Sequence, residues 1–274
     1  MPPLLVTLAL VAVQITYLRG WYRLRNAIPH LVSVWRQAAF SCGLLAFWVV
    51  VGSPLAAMDH HLLTAHMAQH LVLMTVSAPL TLLGAPVIVL LNGLPRPFGR
   101  LVSGPLLRHS LVQAFGHLIT HPLLCWFAGT ATVIVWHTPA LFEVGMMSAQ
   151  WHGVEYACFF AAGILFWWPV VEPWPSLATW STWGVPLYLF LATLPCDALS
   201  AFLTFCGRVV YPHYVSMHRL YFSPSLFDIS PLGDQEWAGA LMWVWVTFVY
   251  LAPAIVVTIQ TLLPQRSVLN AEVV

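Results

Sequence analysis

Charge is almost absent from this sequence: ten basic and nine acidic residues are spread over 274 positions, 7% of the chain, where an ordinary soluble domain carries about 25%. So few charges cannot cover a water-soluble globule of 30.5 kDa. With 60% of residues apolar and a mean hydropathy of +0.82, most of the exterior must face lipid. Every basic residue is Arg and the formal net charge is +1, so no basic field exists to hold a phosphate backbone, and nucleic acid is not an expected partner. Five Cys (Cys42, Cys125, Cys158, Cys196 and Cys206) sit singly in apolar runs without a CxxC pair, which reads as small core residues rather than disulfides or a thiolate cluster.

Crossing a bilayer takes about 20 apolar residues. Seven runs meet or approach that length, near 3–18, 37–57, 63–91, 122–138, 152–171, 183–207 and 236–262. The predicted fold is therefore an all-α integral membrane protein, a bundle of seven transmembrane helices forming one domain over 1–274. The first run lacks a basic leader and an A-x-A site, and Arg19, Arg23 and Arg25 follow it, so it reads as a retained helix. Pro79, Pro86 and Pro195 are expected to kink their spans. The Pro-rich connections 92–121 and 208–235 are expected at the interface.

Positive loops stay cytoplasmic. The first connection holds Arg19, Arg23, Arg25 and Arg36, the third Arg96, Arg100 and Arg108, and the tail Arg266, against Arg208 and Arg219 in the sixth. This places the N-terminus outside and the C-terminus in the cytoplasm.

Twelve His outnumber the Arg in a chain where polar side chains are costly. On this topology most fall at the outer face. His30, His109, His117 and His121 fall on the inner side among Arg, Pro and Ser, where a solvated interfacial imidazole suffices. His66 and His70 are spaced i, i+4, which puts two imidazoles on one helix face with Cβ atoms about 6 Å apart and lets them chelate one metal ion. Met74 extends the stripe at i+8, and imidazole with thioether suits copper better than a hard cation. An isolated HxxxH pair reads equally well as helix-end imidazoles bonded to backbone or headgroups. His137 ends the fourth span before Pro139, where it could bond the last free carbonyls instead. His152 opens the fifth span with Glu155 one turn on, able to ligate or to orient the ring. Three helix ends meeting at one face predict a shared metal site of His66, His70, His137, His152, Glu155 and Met74. Asp59, His60, His61, Asp228, Asp234 and Glu236 lie on the same side. Asp197 stands mid-span, with only Ser and Thr side chains such as Ser77 as polar candidates at its depth. The Trp residues, as in 166–169 and at Trp180, read as headgroup anchors.

At these residues the chain resembles the bacterial CtaG-type assembly factors of caa3 cytochrome c oxidase. The matching stretches run from His66 to Met74 and on to Pro79 and Pro86, from Trp136 to Phe142, from His152 to Glu155 and Gly163 to Pro169, and from Asp234 to Gly239 with Met242 and Trp243. The resemblance implies a multi-pass protein of the bacterial plasma (inner) membrane, a non-catalytic helper in maturation of the oxidase's copper centres, copper as the bound metal and an immature oxidase subunit as partner. The dinuclear copper centre of that oxidase lies on the outer side. In one departure, the family's His after Glu is Tyr156 here, so the site is one nitrogen poorer or the phenol serves as a hydrogen-bonding substitute. Two other functions compete: a haem-binding or electron-transfer membrane protein, which needs ligands facing one another across a cleft, and a copper or proton transporter, which needs polar groups across the whole bilayer. No Ser-His-Asp grouping, GxSxG or phosphate-binding loop is present, so no enzyme activity is expected.

Overall fold

The computed structural model describes residues 3–29, 32–95, 109–171, 183–220 and 229–263, and among these every regular element is helical. In chain order they are α1 (Pro3–Leu24), α2 (Val34–Val51), a 3-10 segment (Pro54–His60), α3 (Leu63–Leu83), α4 (Pro86–Gly93) and α5 (Ser110–Ile119). Then come α6 (Pro122–Trp136), α7 (Pro139–Met147), α8 (Ala149–Val171), α9 (Gly184–Phe205), α10 (Pro212–Leu220) and α11 (Pro231–Leu262). Five of these, α1, α2, α8, α9 and α11, are each long and apolar enough to cross a membrane. Two bent pairs, α3 with α4 at 63° and α5 with α6 at 56°, pass the same test together, giving five to seven spans in a multi-pass bundle. Arg96, Arg100, Arg108 and Arg266, four of the eight Arg assigned to the inner side, lie outside the described residues, as do His30, Asp228 and Trp180.

The breaks follow from local chemistry. Ser53 accepts from Leu55 N ahead of Pro54, so α2 stops at Val51 and the chain turns into the 3-10 segment instead of running helical to 57. Pro86 lacks the N–H that would continue α3. The chain turns at Ala85, which takes a left-handed φ of 49°, and Tyr17 Oη donates to the Gly84 carbonyl at 2.7 Å. Near Pro79 the helix holds a π segment, Leu73–Ser77, and the backbone there is tied to its neighbours. Trp167 Nε1 donates to Met74 O at 3.0 Å, and Trp245 Nε1 donates to Thr75 Oγ1 at 2.8 Å. Trp167 is thus a buried strut between α8 and α3, not a headgroup anchor. Pro195, expected to kink the sixth span, lies inside an unbroken α9. The stretch 92–121, read as an interfacial connection, contains the helix α5, and the break before α6 falls at Thr120 and His121, just ahead of Pro122. Of the cysteines, Cys125 and Cys196 are buried as expected, whereas Cys42 is exposed.

The main core joins α3, α6, α7, α8, α9 and α11, and a smaller cluster around Tyr17, Phe40 and Val89 binds α1 and α2 to α4. In the second cluster Tyr17 and Phe40 stack with centroids 3.7 Å apart, and α1 crosses α4 at Gly20 and Gly93, where any Cβ would overlap backbone oxygen of Val89 or Thr16. The start of α3 is fixed from a distance. Asp234, near the start of α11, accepts from Leu63 N at 2.6 Å, Thr64 N at 3.1 Å and Thr64 Oγ1 at 2.6 Å. The carboxylate serves as the N-cap that α3 lacks in its own sequence, since Leu62 stands at that position.

Candidate metal centre

With its N-terminus anchored, α3 presents His66 and His70 on one face, their ring centroids 4.2 Å apart. α8 packs opposite and supplies Glu155. Its Oε1 lies 3.4 Å from His66 Nε2 and 3.3 Å from His70 Nε2. All three side chains are buried, at 0%, 4% and 1% exposure, and one donor atom from each lies within 4.8 Å of the others. Neither close approach is aligned as a hydrogen bond. Among the described residues both nitrogens of His66, both of His70 and both oxygens of Glu155 lack a hydrogen-bond partner. Leaving six buried polar atoms unpaired costs about 1–3 kcal/mol each in a protein interior. A metal ion, whose bonds to nitrogen and oxygen are near 2 Å, satisfies such atoms together, and the donor set fits one.

The other expected ligands take distinct positions. His152 stacks on His66 at 5.6 Å, and its Nε2 is 3.9 Å from Glu155 Oε2 but only 3.2 Å from Asp59 Oδ2. His137 stands 6.0 Å from the His70 ring, so the four imidazoles occupy one small volume. The helix-capping role open to His137 is realised through Nδ1, 2.7 Å from Val133 O. Its Nε2 faces Met67 Sδ at 3.1 Å, so the thioether in contact with an imidazole is that of Met67. Met74 instead lines a cavity of about 40 Å3 below, shared with Met67, His70, His137, Phe159 and Met242. That volume holds a water molecule or an ion.

Tyr156, at the position where the resemblance leads one to expect His, donates its hydroxyl to Asp59 Oδ2 and lies 2.6 Å from Gln69 Oε1. Gln69 in turn donates to Ala56 O at 3.1 Å. The phenol is therefore a hydrogen-bonding residue that holds the 3-10 segment against α3 and α8. Tyr214 Oη donates to Asp59 O at 2.7 Å and Tyr211 Oη to His137 O at 3.0 Å, so α10 and the residue before it brace the site from above. Burial, reinforced at Tyr214 by the Asp59 carboxylate, raises both phenols above their usual range, and burial lowers His213. Sequence reasoning missed Met67, Gln69 and the role of Asp59. The only sequence signal for Asp59 was its position beside His60 at the same end.

Asp197, on α9, is half-buried with Oδ1 unpaired among the described residues, and Thr193, one turn before it, is its side-chain hydrogen-bond partner; Ser77 donates to Gly43 O at 2.8 Å. His109, read as solvated, is exposed and accepts from Leu111 N at the start of α5.

A family model described as cytochrome c oxidase caa3 assembly factor (Caa3_CtaG) matches residues 15–262. Uncharacterized proteins of Mycobacterium bovis and Mycobacterium tuberculosis are each 28% identical over 252 residues, covering 87% of this chain and 36% of theirs. One of Mycobacterium leprae is 27% identical over 243 residues, covering 85% and 35%. The chain thus spans little more than a third of the length of these curated relatives. No solved structure matches.

Proposed function

The chain belongs to the cytochrome c oxidase caa3 assembly factor family, and from that premise we propose that it assists maturation of the oxidase's copper centres by holding a copper ion at His66, His70 and Glu155. The observation that carries this reading is the buried trio of two imidazoles and a carboxylate whose polar atoms lack hydrogen-bond partners. Here the ion is cargo. His137, held with Nδ1 on a carbonyl, turns Nε2 toward Met67 Sδ, and Met67 and Met74 add soft donors beneath that favour copper over harder ions. The role is non-catalytic and the partner is an immature oxidase subunit. The site lies at the outer face of a bacterial plasma membrane, with the N-terminus outside, in keeping with the Arg bias.

The test is metal analysis of the detergent-purified protein after equilibration with copper, beside a His66→Ala/His70→Ala variant of equal abundance. The variant should lose at least one bound ion per chain and fail to restore oxidase assembly in cells lacking the native factor. Unchanged copper content would end this reading.

A further inference from the structure

A second ligand group stands between the buried trio and the surface. Asp59 and His60 end the 3-10 segment, His152 lies in the first turns of α8, and one donor atom from each falls within 4.8 Å of the others. Asp59 is 1% exposed, and among the described residues its Oδ1 and His152 Nε2 have no hydrogen-bond partner. Tyr156 occupies Oδ2 and leaves Oδ1 available, 3.9 Å from His60 Nε2. The backbone of Asp59 and His60 is pinned, through Tyr214 Oη on Asp59 O and His213 Nε2 on His60 O at 3.3 Å. Such outer contacts orient ligands in metal sites. Closing donors from 4.8 Å to the 3–4 Å or so that bonds near 2 Å require takes a movement of about 1 Å, which the His60 side chain, 41% exposed, can supply.

Position gives this group its use. His60, Asp59 and His152 line an open cleft of about 730 Å3 between α1, α2 and α8. The His66–His70–Glu155 trio has no comparable exposure. The rings form a ladder from surface to interior: His60 to His152 at 5.2 Å, His152 to His66 at 5.6 Å, His66 to His70 at 4.2 Å. The Glu155 carboxylate reaches along it, with Oε1 on the inner pair and Oε2 toward His152. We propose that Asp59, His60 and His152 form a second, surface-side site for a divalent transition-metal ion, through which the ion reaches and leaves the inner trio by ligand exchange at His152. Each bond to a departing ligand is replaced by one to the next donor, and no electron moves. Two imidazoles and one carboxylate select Cu2+, Co2+ or Zn2+ over Ca2+ and Mg2+, which take oxygen ligands.

The inference rests on the inner trio binding metal, so the experiment separates the two. Cu2+ is titrated into the full chain in detergent, bound ions are counted, and electron paramagnetic resonance reads the coupling between neighbouring Cu2+ ions. Wild type should bind two coupled ions. His60→Ala should bind one uncoupled ion, the inner one, and load it at least about 10-fold more slowly, and Asp59→Asn, which keeps the side chain's shape, should weaken binding of the surface ion at least about 10-fold. His66→Ala/His70→Ala should keep one ion, lost on adding His60→Ala. One ion in wild type, removed by His66→Ala/His70→Ala and loaded at an unchanged rate in His60→Ala, overturns the surface site and leaves the inner reading standing. One ion that depends on His60 but not on His66 and His70 overturns the inner reading instead. Absence of any bound ion overturns both.

Discussion

The two ends of the bundle differ in how their polar side chains are paired. At the end where α1 finishes, donors meet acceptors: Arg23 Nη1 donates to Asn92 O at 2.6 Å, Arg36 Nη1 to Leu83 O at 3.2 Å, and Tyr17 Oη to Gly84 O at 2.7 Å. Each closes a carbonyl that a helix terminus or break leaves free. At the end where α3 begins, Asp234 is satisfied in the same manner, but His66, His70 and Glu155 are not. The difference teaches where stability ends and function begins. Paired polar groups at helix ends hold the spans in place, and the two imidazoles and the carboxylate left without partners at the other end form the candidate metal centre.

The largest expected effect breaks the structural end alone. Gly93→Ala places a methyl against the Thr16 carbonyl, which is backbone and cannot step aside, so α1 must part from α4. A loss of about 4 kcal/mol or more is expected, read as failure to accumulate or a collapse in thermal stability.

Tyr17→Phe leaves the Gly84 carbonyl without its donor, and Asp234→Ala leaves α3 uncapped. Each should cost about 1–3 kcal/mol in detergent unfolding. Tyr17→Phe should leave copper binding intact. If it weakened copper binding as strongly as the His variants do, the two ends would not be separable.

Gly145→Ala probes the other end. Its Cβ would sit 2.9 Å from Glu155 Oε2, so the carboxylate has to move while the fold persists. Copper affinity should fall about 10-fold with unfolding unchanged; unaltered affinity would remove Glu155 from the ligand set.

The smallest effect sharpens the contrast most. Replacing His66, His70 and Glu155 together by Leu, Leu and Met removes buried atoms that have no partners among the described residues. Metal-free stability should stay within about 1 kcal/mol of wild type or rise. A fall of about 3 kcal/mol or more in unfolding experiments would mean that these groups hold the fold as Tyr17 does.

The sequence alone determined that the chain crosses lipid and roughly where, because hydropathy over about 20 residues is a local property that needs no partner. It also determined that His66 and His70 lie side by side, since i, i+4 spacing on a helix sets their geometry without reference to the rest of the chain. Tertiary packing decided what local pattern cannot carry. Glu155, read beside His152 along one helix, turns to His66 and His70 on another, while His152 turns to Asp59. Met67, which the HxxxH spacing does not single out, meets an imidazole because α6 brings His137 to that face of α3. The cap of α3 comes from Asp234, a residue 170 and 171 positions beyond the N–H groups it accepts. Trp167, expected at the headgroups, lies inside because α3 bulges and offers it the Met74 carbonyl. In each case the deciding interaction joins two helices, and which faces meet is set by how the whole bundle packs and satisfies its buried polar groups.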